Sequence, residues 1–484
     1  MELIKFENVS YKYPKSQKTA LKGINLSVME GEFLAVVGAN GSGKTTFCKL
    51  INGIIPCLYE GQLSGTVTVD GVRTESSSVS ALALKVGTVL DDPDAQLFTS
   101  TVRGEAAFGP ENLLLLPDEI EERVKFALQA AGLTGFEERQ PSTLSGGEKQ
   151  RLAIASALAM KGKILVLDEP FCRLDPQGTE DVIAVLKEIR EKHGITIIMT
   201  SGKDAKMLES ADRVCVLKDG SISALDTAKN IFENSVLLEE NSIQPPMNTD
   251  INSIFTIQSE EISNKYVNVS NFCFNYDKSG ISIENINLSI AENDFIAIIG
   301  DNGCGKTTLL KSITGLLRPT SGDIFICGKN TKELSVSDIS KYAGFVMQNP
   351  DAQLFTDTVY NEVSFALKKM RLSKPEINRR VKDALDVVGL KDADAFPHAL
   401  SRADRTKTVI ACVLAMGCKI IIFDEIDSAL DYRDNLRIMN IVRDLHSRGF
   451  TIIFVTHNMF LAAQYAQRLI KMTRKGIVFA GRRK

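Results

Sequence analysis

A nine-residue string occurs twice in the chain: Gly-Ala-Asn-Gly-Ser-Gly-Lys-Thr-Thr beginning at Gly38, and Gly-Asp-Asn-Gly-Cys-Gly-Lys-Thr-Thr beginning at Gly300. Both fit G-x-x-x-x-G-K-[ST], and both follow a short apolar run, Phe33 to Val37 in the first copy. This pattern demands a buried strand, a tight glycine turn and a helix, in that order. Glycines at this spacing let successive backbone N–H groups wrap an anion, and the following helix N-terminus adds a favourable dipole. Two copies, each with a strand before and a helix after, predict two α/β units built around parallel sheets.

The duplication extends beyond the loops. Pro93-Asp94-Ala95-Gln96-Leu97-Phe98 returns as Pro350-Asp351-Ala352-Gln353-Leu354-Phe355, and Ile164-Leu165-Val166-Leu167-Asp168-Glu169 as Ile420-Ile421-Ile422-Phe423-Asp424-Glu425. Gly38 and Gly300 lie 262 positions apart, Ile164 and Ile420 256, so the halves differ by a few residues of insertion. We expect domains at 1–233 and 266–484, joined by a polar linker at 234–265 that holds Pro245-Pro246. Helices are expected from Thr45 to Asn52 and from Glu119 to Ala131, with β-rich segments at Ile4 to Ser10 and Gly65 to Asp70.

The residue types at these positions suit phosphoryl chemistry. Gly38, Asn40, Gly41, Gly43, Lys44, Thr45 and Thr46, and in the second loop Gly300, Asn302, Gly303, Gly305, Lys306, Thr307 and Thr308, form the two cradles. Lys44 and Lys306 are expected to reach the β- and γ-phosphates, and Thr45 and Thr307 to ligate Mg²⁺. Asp168 and Asp424, each closing an apolar strand, suit Mg²⁺, and the adjoining Glu169 and Glu425 suit polarising a water.

Composition narrows the setting. Lys plus Arg number 57 against 60 Asp plus Glu, which argues against a nucleic-acid binder. Nine cysteines, with no C-x-x-C pair and no leading apolar signal, point to a reduced, cytosolic chain. No apolar run approaches the ~20 residues that span a bilayer, so a membrane role would act through a partner. Four histidines make a histidine-based metal site unexpected.

Leu144-Ser145-Gly146-Gly147-Glu148-Lys149-Gln150-Arg151, shortly before Asp168-Glu169, resembles the signature of ATP-binding cassette ATPases. With the loops and acidic pairs, the resemblance covers both halves. It implies two P-loop ATPase domains, each a RecA-like α/β core with an antiparallel β subdomain and a helical signature subdomain. It also implies a head-to-tail pairing of the halves, with each ATP and its Mg²⁺ held between one phosphate loop and the other half's signature, here Ser145, Gly146 and Gly147. On the same resemblance, Tyr13 and Tyr276 stack on adenine, Asp175 and Asp431 touch the opposite site, Gln348 senses Mg²⁺, and His457 holds the γ-phosphate and water.

The halves are unequal. At the position of Gln348 the first half has Asp91; at the position of His457 it has Ser201. The second signature reads Leu400-Ser401-Arg402-Ala403-Asp404-Arg405, without either glycine. Paired across the halves, Lys306, Thr307, Gln348, Asp424, Glu425 and His457 with Ser145 and Gly147 form an intact set. The other set combines all three departures. Arg402 offers either a charge to phosphate or bulk that holds the halves apart. Cys304, inside the second loop beside Lys306 and a helix N-terminus, is expected to have a depressed pKa, so that its alkylation blocks turnover; the alternative is a small residue that merely fits, as Ser42 does.

The repeated Pro-Asp-Ala-Gln-Leu-Phe resembles a segment in ATPases of energy-coupling factor transporters and related cobalt or nickel importers. That resemblance implies a transmembrane coupling protein and a small substrate-capture membrane protein as partners, at the cytoplasmic face of the membrane, and a vitamin or trace metal as cargo. A tandem ATPase of a sugar importer and a soluble translation or repair factor are the alternatives. The repeated string speaks against the first, and the lack of a long charged linker or basic tail against the second.

Overall fold

The computed structural model describes residues 1–172, 174–202, 209–246, 251–257, 265–276, 282–428 and 430–484. These fall into two compact units that meet in sequence between Pro246 and Met247.

In the first unit, six strands form a sheet in the order Ser221–Thr227, Arg213–Lys218, Phe33–Val37, Thr196–Ser201, Ile164–Leu167, Val86–Val89. All neighbours are parallel except the first pair. The central strand, Phe33–Val37, is buried at all five positions. Alternation along it divides two cores: Phe33, Ala35 and Val37 face the helices, while Leu34 and Val36 face a second sheet. That is why the segment reads as an unbroken apolar run and not as an alternating one. The second sheet is antiparallel, ordered Leu21–Met29, Glu2–Lys12, Gln62–Val69, Val72–Arg73.

The second unit repeats this plan. Its larger sheet runs Phe255–Ile257, Gly476–Arg483, Arg468–Thr473, Phe295–Ile299, Thr451–Val455, Ile420–Asp424, Ala343–Val346. Phe295, Ala297 and Ile299 pack on one face and Ile296 and Ile298 on the other. Helices Val359–Lys369, Lys374–Val388 and Arg402–Met416 form its helical part, as Val102–Asn112, Pro117–Ala130 and Gly146–Ala159 do in the first unit.

The helix expected at Thr45–Asn52 spans Lys44–Ile51, and the one expected at Glu119–Ala131 spans Pro117–Ala130, with Pro117 at its first turn. Much of the expected linker is structured. Ser235–Glu240 is a helix with Leu238 buried, Ile243 is buried, and Phe255–Ile257 pairs with the chain's last strand. A few apolar residues in a polar stretch, without periodicity, sufficed to anchor each end to its neighbouring unit. The parts of that stretch at 247–250 and 258–264 lie outside the described residues. Among the described residues, no helix is long and apolar enough to cross a membrane.

Candidate functional site

Each phosphate loop leaves its central strand through a glycine that no other residue could replace. Gly38 has φ 154° and Gly300 φ 154°. A Cβ on Gly38 would lie 2.2 Å from the Leu217 carbonyl oxygen, and one on Gly300 2.3 Å from that of Met472. The helices then start at Lys44 and Lys306, behind Gly43 and Gly305, both in the left-handed region. Lys44 Nζ donates to the carbonyls of Gly38 (2.8 Å) and Ala39 (3.1 Å); Lys306 Nζ donates to those of Gly300 (2.8 Å) and Asp301 (3.1 Å). Both ammonium groups are thus folded back over their own loops and almost fully buried. Asn40, Gly41, Asn302 and Gly303 form the exposed crest of each loop.

The acidic pairs sit beside them. Thr307 Oγ1 donates to Asp424 Oδ1 at 3.0 Å, and the Thr45 hydroxyl is near enough to Asp168 to favour its charged form. Burial pushes the Asp424 carboxyl up to about 6, and burial likewise raises Asp168. A carboxylate buried next to a hydroxyl, with the charged form disfavoured, is an oxygen-rich position that a hard divalent cation would relieve. Glu169 and Glu425 adopt φ of 49° and 48°. This conformation costs a non-glycine residue about 1–3 kcal/mol, and its presence in both halves marks a functional turn.

Around these glutamates the halves diverge. Glu425 Oε1 meets His457 Nε2 at 3.1 Å, Glu425 Oε2 accepts from Gln348 Nε2 at 3.1 Å, and Lys306 stands 3.9 Å away. Ser428 Oγ also accepts from Gln348, at 3.4 Å. Glu169 instead pairs directly with Lys44 at 3.1 Å, and its Oε2 accepts from the backbone N–H of Gly202 at 3.1 Å. Thr200 Oγ1 accepts from the Glu169 N–H and donates to Asp168, at 2.9 and 2.7 Å. Thr456, which donates to Asp427 at 2.8 Å, matches Ser201 in the strand registers, so the place of His457 falls to Gly202 and not, as the sequence suggested, to Ser201. The Asp91 backbone carbonyl accepts from the Cys172 thiol, 3.3 Å away.

Tyr13 and Tyr276 present their hydroxyls to the second threonine of each loop: Tyr13 to Thr46 at 3.1 Å, Tyr276 to Thr308 at 2.7 Å. Tyr276 is 42% exposed, so its ring stays accessible beside the loop. Asp175 caps the helix Pro176–His193, accepting from Gly178 N–H at 2.8 Å, while Asp431 precedes the helix Tyr432–Ser447.

The two signatures differ by more than their glycines. Ser145 caps its helix in a reciprocal box: Glu148 N–H reaches Ser145 Oγ at 3.3 Å, and Glu148 Oε2 accepts the Ser145 backbone N–H at 2.7 Å. The hydroxyl proton of Ser145 is not drawn into that box. In the second half Asp404, one methylene shorter, takes the Ser401 hydroxyl proton itself at 2.9 Å. Gly146 and Gly147 form the first turn of their helix, and a Cβ on Gly147 would lie 3.1 Å from Gly178 Cα. Arg402 Nη2 donates to the Gln348 carbonyl at 3.1 Å, within its own unit.

The expectation for Cys304 is overturned. The thiol is only 5% exposed, and burial raises its pKa, outweighing the lowering by Lys306 and the loop N–H groups. Sequence proximity to a cation and a helix start gave the attraction but not the desolvation that defeats it.

The repeated Pro-Asp-Ala-Gln-Leu-Phe segment is held identically in both halves. Gln96 accepts from Leu90 N–H and donates to the Thr88 carbonyl; Gln353 does the same with Met347 and Phe345. The buried Glu105 accepts from Phe98 and Thr99 N–H, and Glu362 from Phe355 and Thr356. These glutamates escaped sequence reasoning, although a glutamate at the same place in both repeats was the available signal. The scaffold thrusts out Phe98 (66% exposed) against Phe108, edge to face at 4.7 Å, and Phe355 (64% exposed) against Phe365 at 4.8 Å.

Comparison with known proteins agrees with this geometry. The family model described as "ABC transporter" matches residues 21–172 and 283–428. A protein of Caldanaerobacter subterraneus named "Putative ABC transporter ATP-binding protein" is 34% identical over 508 residues, covering 96% of this chain and 89% of that protein. One of the same description from Methanosarcina mazei is 35% identical over 482 residues, covering 98% and 94%. A solved structure, cbiO1 from Clostridium perfringens, described as part of the ABC transporter complex cbiONQ, is 34% identical with a TM-score of 0.45, covering 49% of this chain and 94% of its own. With the family model matched in both halves and relatives aligned along nearly its whole length, this chain belongs to the ABC transporter family, as a tandem of two ATP-binding domains whose ATP hydrolysis is coupled to transport.

Proposed function

We propose that the chain energises a membrane importer of the energy-coupling factor type, carrying a vitamin or trace metal. It would act at the cytoplasmic face of the membrane through a transmembrane coupling protein and a small substrate-capture protein. The observation that carries this reading is the repeated Pro-Asp-Ala-Gln-Leu-Phe segment, with an exposed phenylalanine pair beside it in each half. Paired aromatics on a hydrogen-bonded platform are what a docked apolar helix would bury. The test is affinity purification of the tagged chain from detergent-solubilised membranes, with mass spectrometry of what comes with it. Recovery of two integral membrane proteins, one small, supports the reading; recovery of ribosomal or DNA-repair components, or of a sugar permease, sinks it.

Within that machine we assign the hydrolytic role to one composite site: Lys306, Thr307, Gln348, Asp424, Glu425 and His457, completed by Ser145, Gly146 and Gly147 of the first half. Glu425, held by His457 and Gln348, is the group oriented to take a proton from water. Lys306 is fixed over its loop to meet phosphate oxygens. Thr307, Asp424 and Gln348 would hold Mg²⁺, as Thr45 and Asp168 would in the first half; the ion supplies neutralisation of phosphate charge. Tyr13 and Tyr276 would carry adenine.

The other site would chiefly bind ATP. Glu169 is engaged by Lys44 and Gly202, neither of which orients a water as His457 would, and the Ser401 hydroxyl is committed to Asp404. ATP would favour the closed pair of halves, and hydrolysis at the intact site would release it. The available drive is the difference in ATP affinity between the two states.

A further inference from the structure

Arg402 stands where the first half has Gly146, and it contributes more than a missing glycine. It is the first residue of the helix Arg402–Met416, where a cation opposes the helix dipole. Its guanidinium nevertheless turns to the Gln348 carbonyl, 3.1 Å away. Two neighbours reinforce that direction. Arg405 pairs with Asp351 at 2.6 Å, and His398 Nδ1 lies 3.4 Å from the same carboxylate. Three basic side chains from 398–405 therefore reach the loop 348–351. In the first half the Arg405 contact has its counterpart, Lys149 to Asp94 at 2.6 Å, but Ser142 and Gly146 occupy the places of His398 and Arg402.

The loop so held is the one whose Gln348 side chain donates to Glu425. We infer that Arg402 is a positioning residue for hydrolysis: it fixes the Gln348 backbone so that the amide side chain meets Glu425. The substitution that spoils one signature thus tightens the other, catalytic, loop within the same unit. This inference rests on the assignment of hydrolysis to Glu425.

The test is steady-state ATPase kinetics of the full chain as Arg402→Ala, Arg402→Lys and Gln348→Ala, singly and with Arg402→Ala and Gln348→Ala combined. One solvent-exposed hydrogen bond predicts that Arg402→Ala lowers kcat by about three- to tenfold, with KM for ATP little changed. Arg402→Lys should recover part of the loss. On the Gln348→Ala background, Arg402→Ala should have no further effect, because no amide remains to be positioned. Binding of a fluorescent ATP analogue, unchanged in Arg402→Ala, checks the fold. Unchanged or raised kcat in Arg402→Ala, or fully additive losses in the double variant, overturns the inference. Failure of the underlying assignment would show separately, as substantial turnover in Glu425→Gln.

Discussion

Exchanging each glutamate for glutamine asks the two halves the same question, and the answers should be far apart. Glu425→Gln keeps the shape that meets Gln348 and His457 but removes the basic charge. A positioned general base is worth about 10²–10⁴ in rate, or about 3–5 kcal/mol of barrier, so turnover should fall to about 1% or less. Glu169→Gln removes a carboxylate that Lys44, at 3.1 Å, already neutralises, and among the described residues no histidine is bonded to it. That variant should keep more than half of the activity. Two equal, independent sites would each leave about half after one substitution, and two obligately alternating sites would lose nearly everything from either. Phosphate release from the purified chain with its membrane partners distinguishes the three cases. ATP binding measured in parallel shows that both variants fold. Equal losses would refute the asymmetry, however suggestive the residues around it.

Other consequences are open to simpler measurements. Because burial raises Asp424 from 3.8 to about 6, its contribution to stability is fully present below pH 3.8 and is lost as pH rises through about 6. The gap corresponds to about 3 kcal/mol at most. In magnesium-free buffer, Asp424→Asn should therefore raise Tm by several degrees at pH 7.5, by about half as much at pH 5 and hardly at all near pH 3.8; a shift independent of pH would contradict this. The buried Cys304 should resist maleimide at neutral pH while exposed Cys57 is labelled first, as peptide mass spectrometry would reveal. Early labelling of Cys304 would mean that the loop opens readily. Phe355→Asp should abolish recovery of the membrane partners and leave nucleotide binding intact, and undiminished recovery would remove Phe355 from the docking surface.

The sequence alone carried the duplication, both phosphate loops, the acidic strand ends and departures from the family pattern in both halves of the chain. Each is a demand for particular residue types at fixed local spacing, and spacing survives without a fold. A strand such as Phe33–Val37 was legible for the same reason, since burial on both faces leaves an unbroken apolar run. Burial and side-chain direction were not legible, because they depend on partners far along the chain. Gln348 reaches Glu425 across 77 positions, and Arg402 reaches the Gln348 carbonyl across 54. Packing reversed the expectation for Cys304, because desolvation is set by its neighbours in space and not by the motif. A single methylene separates Glu148 from Asp404, yet only the folded helix start shows that the shorter side chain captures a serine proton which the longer one leaves alone. Tertiary structure thus turned two similar strings into two unlike sites.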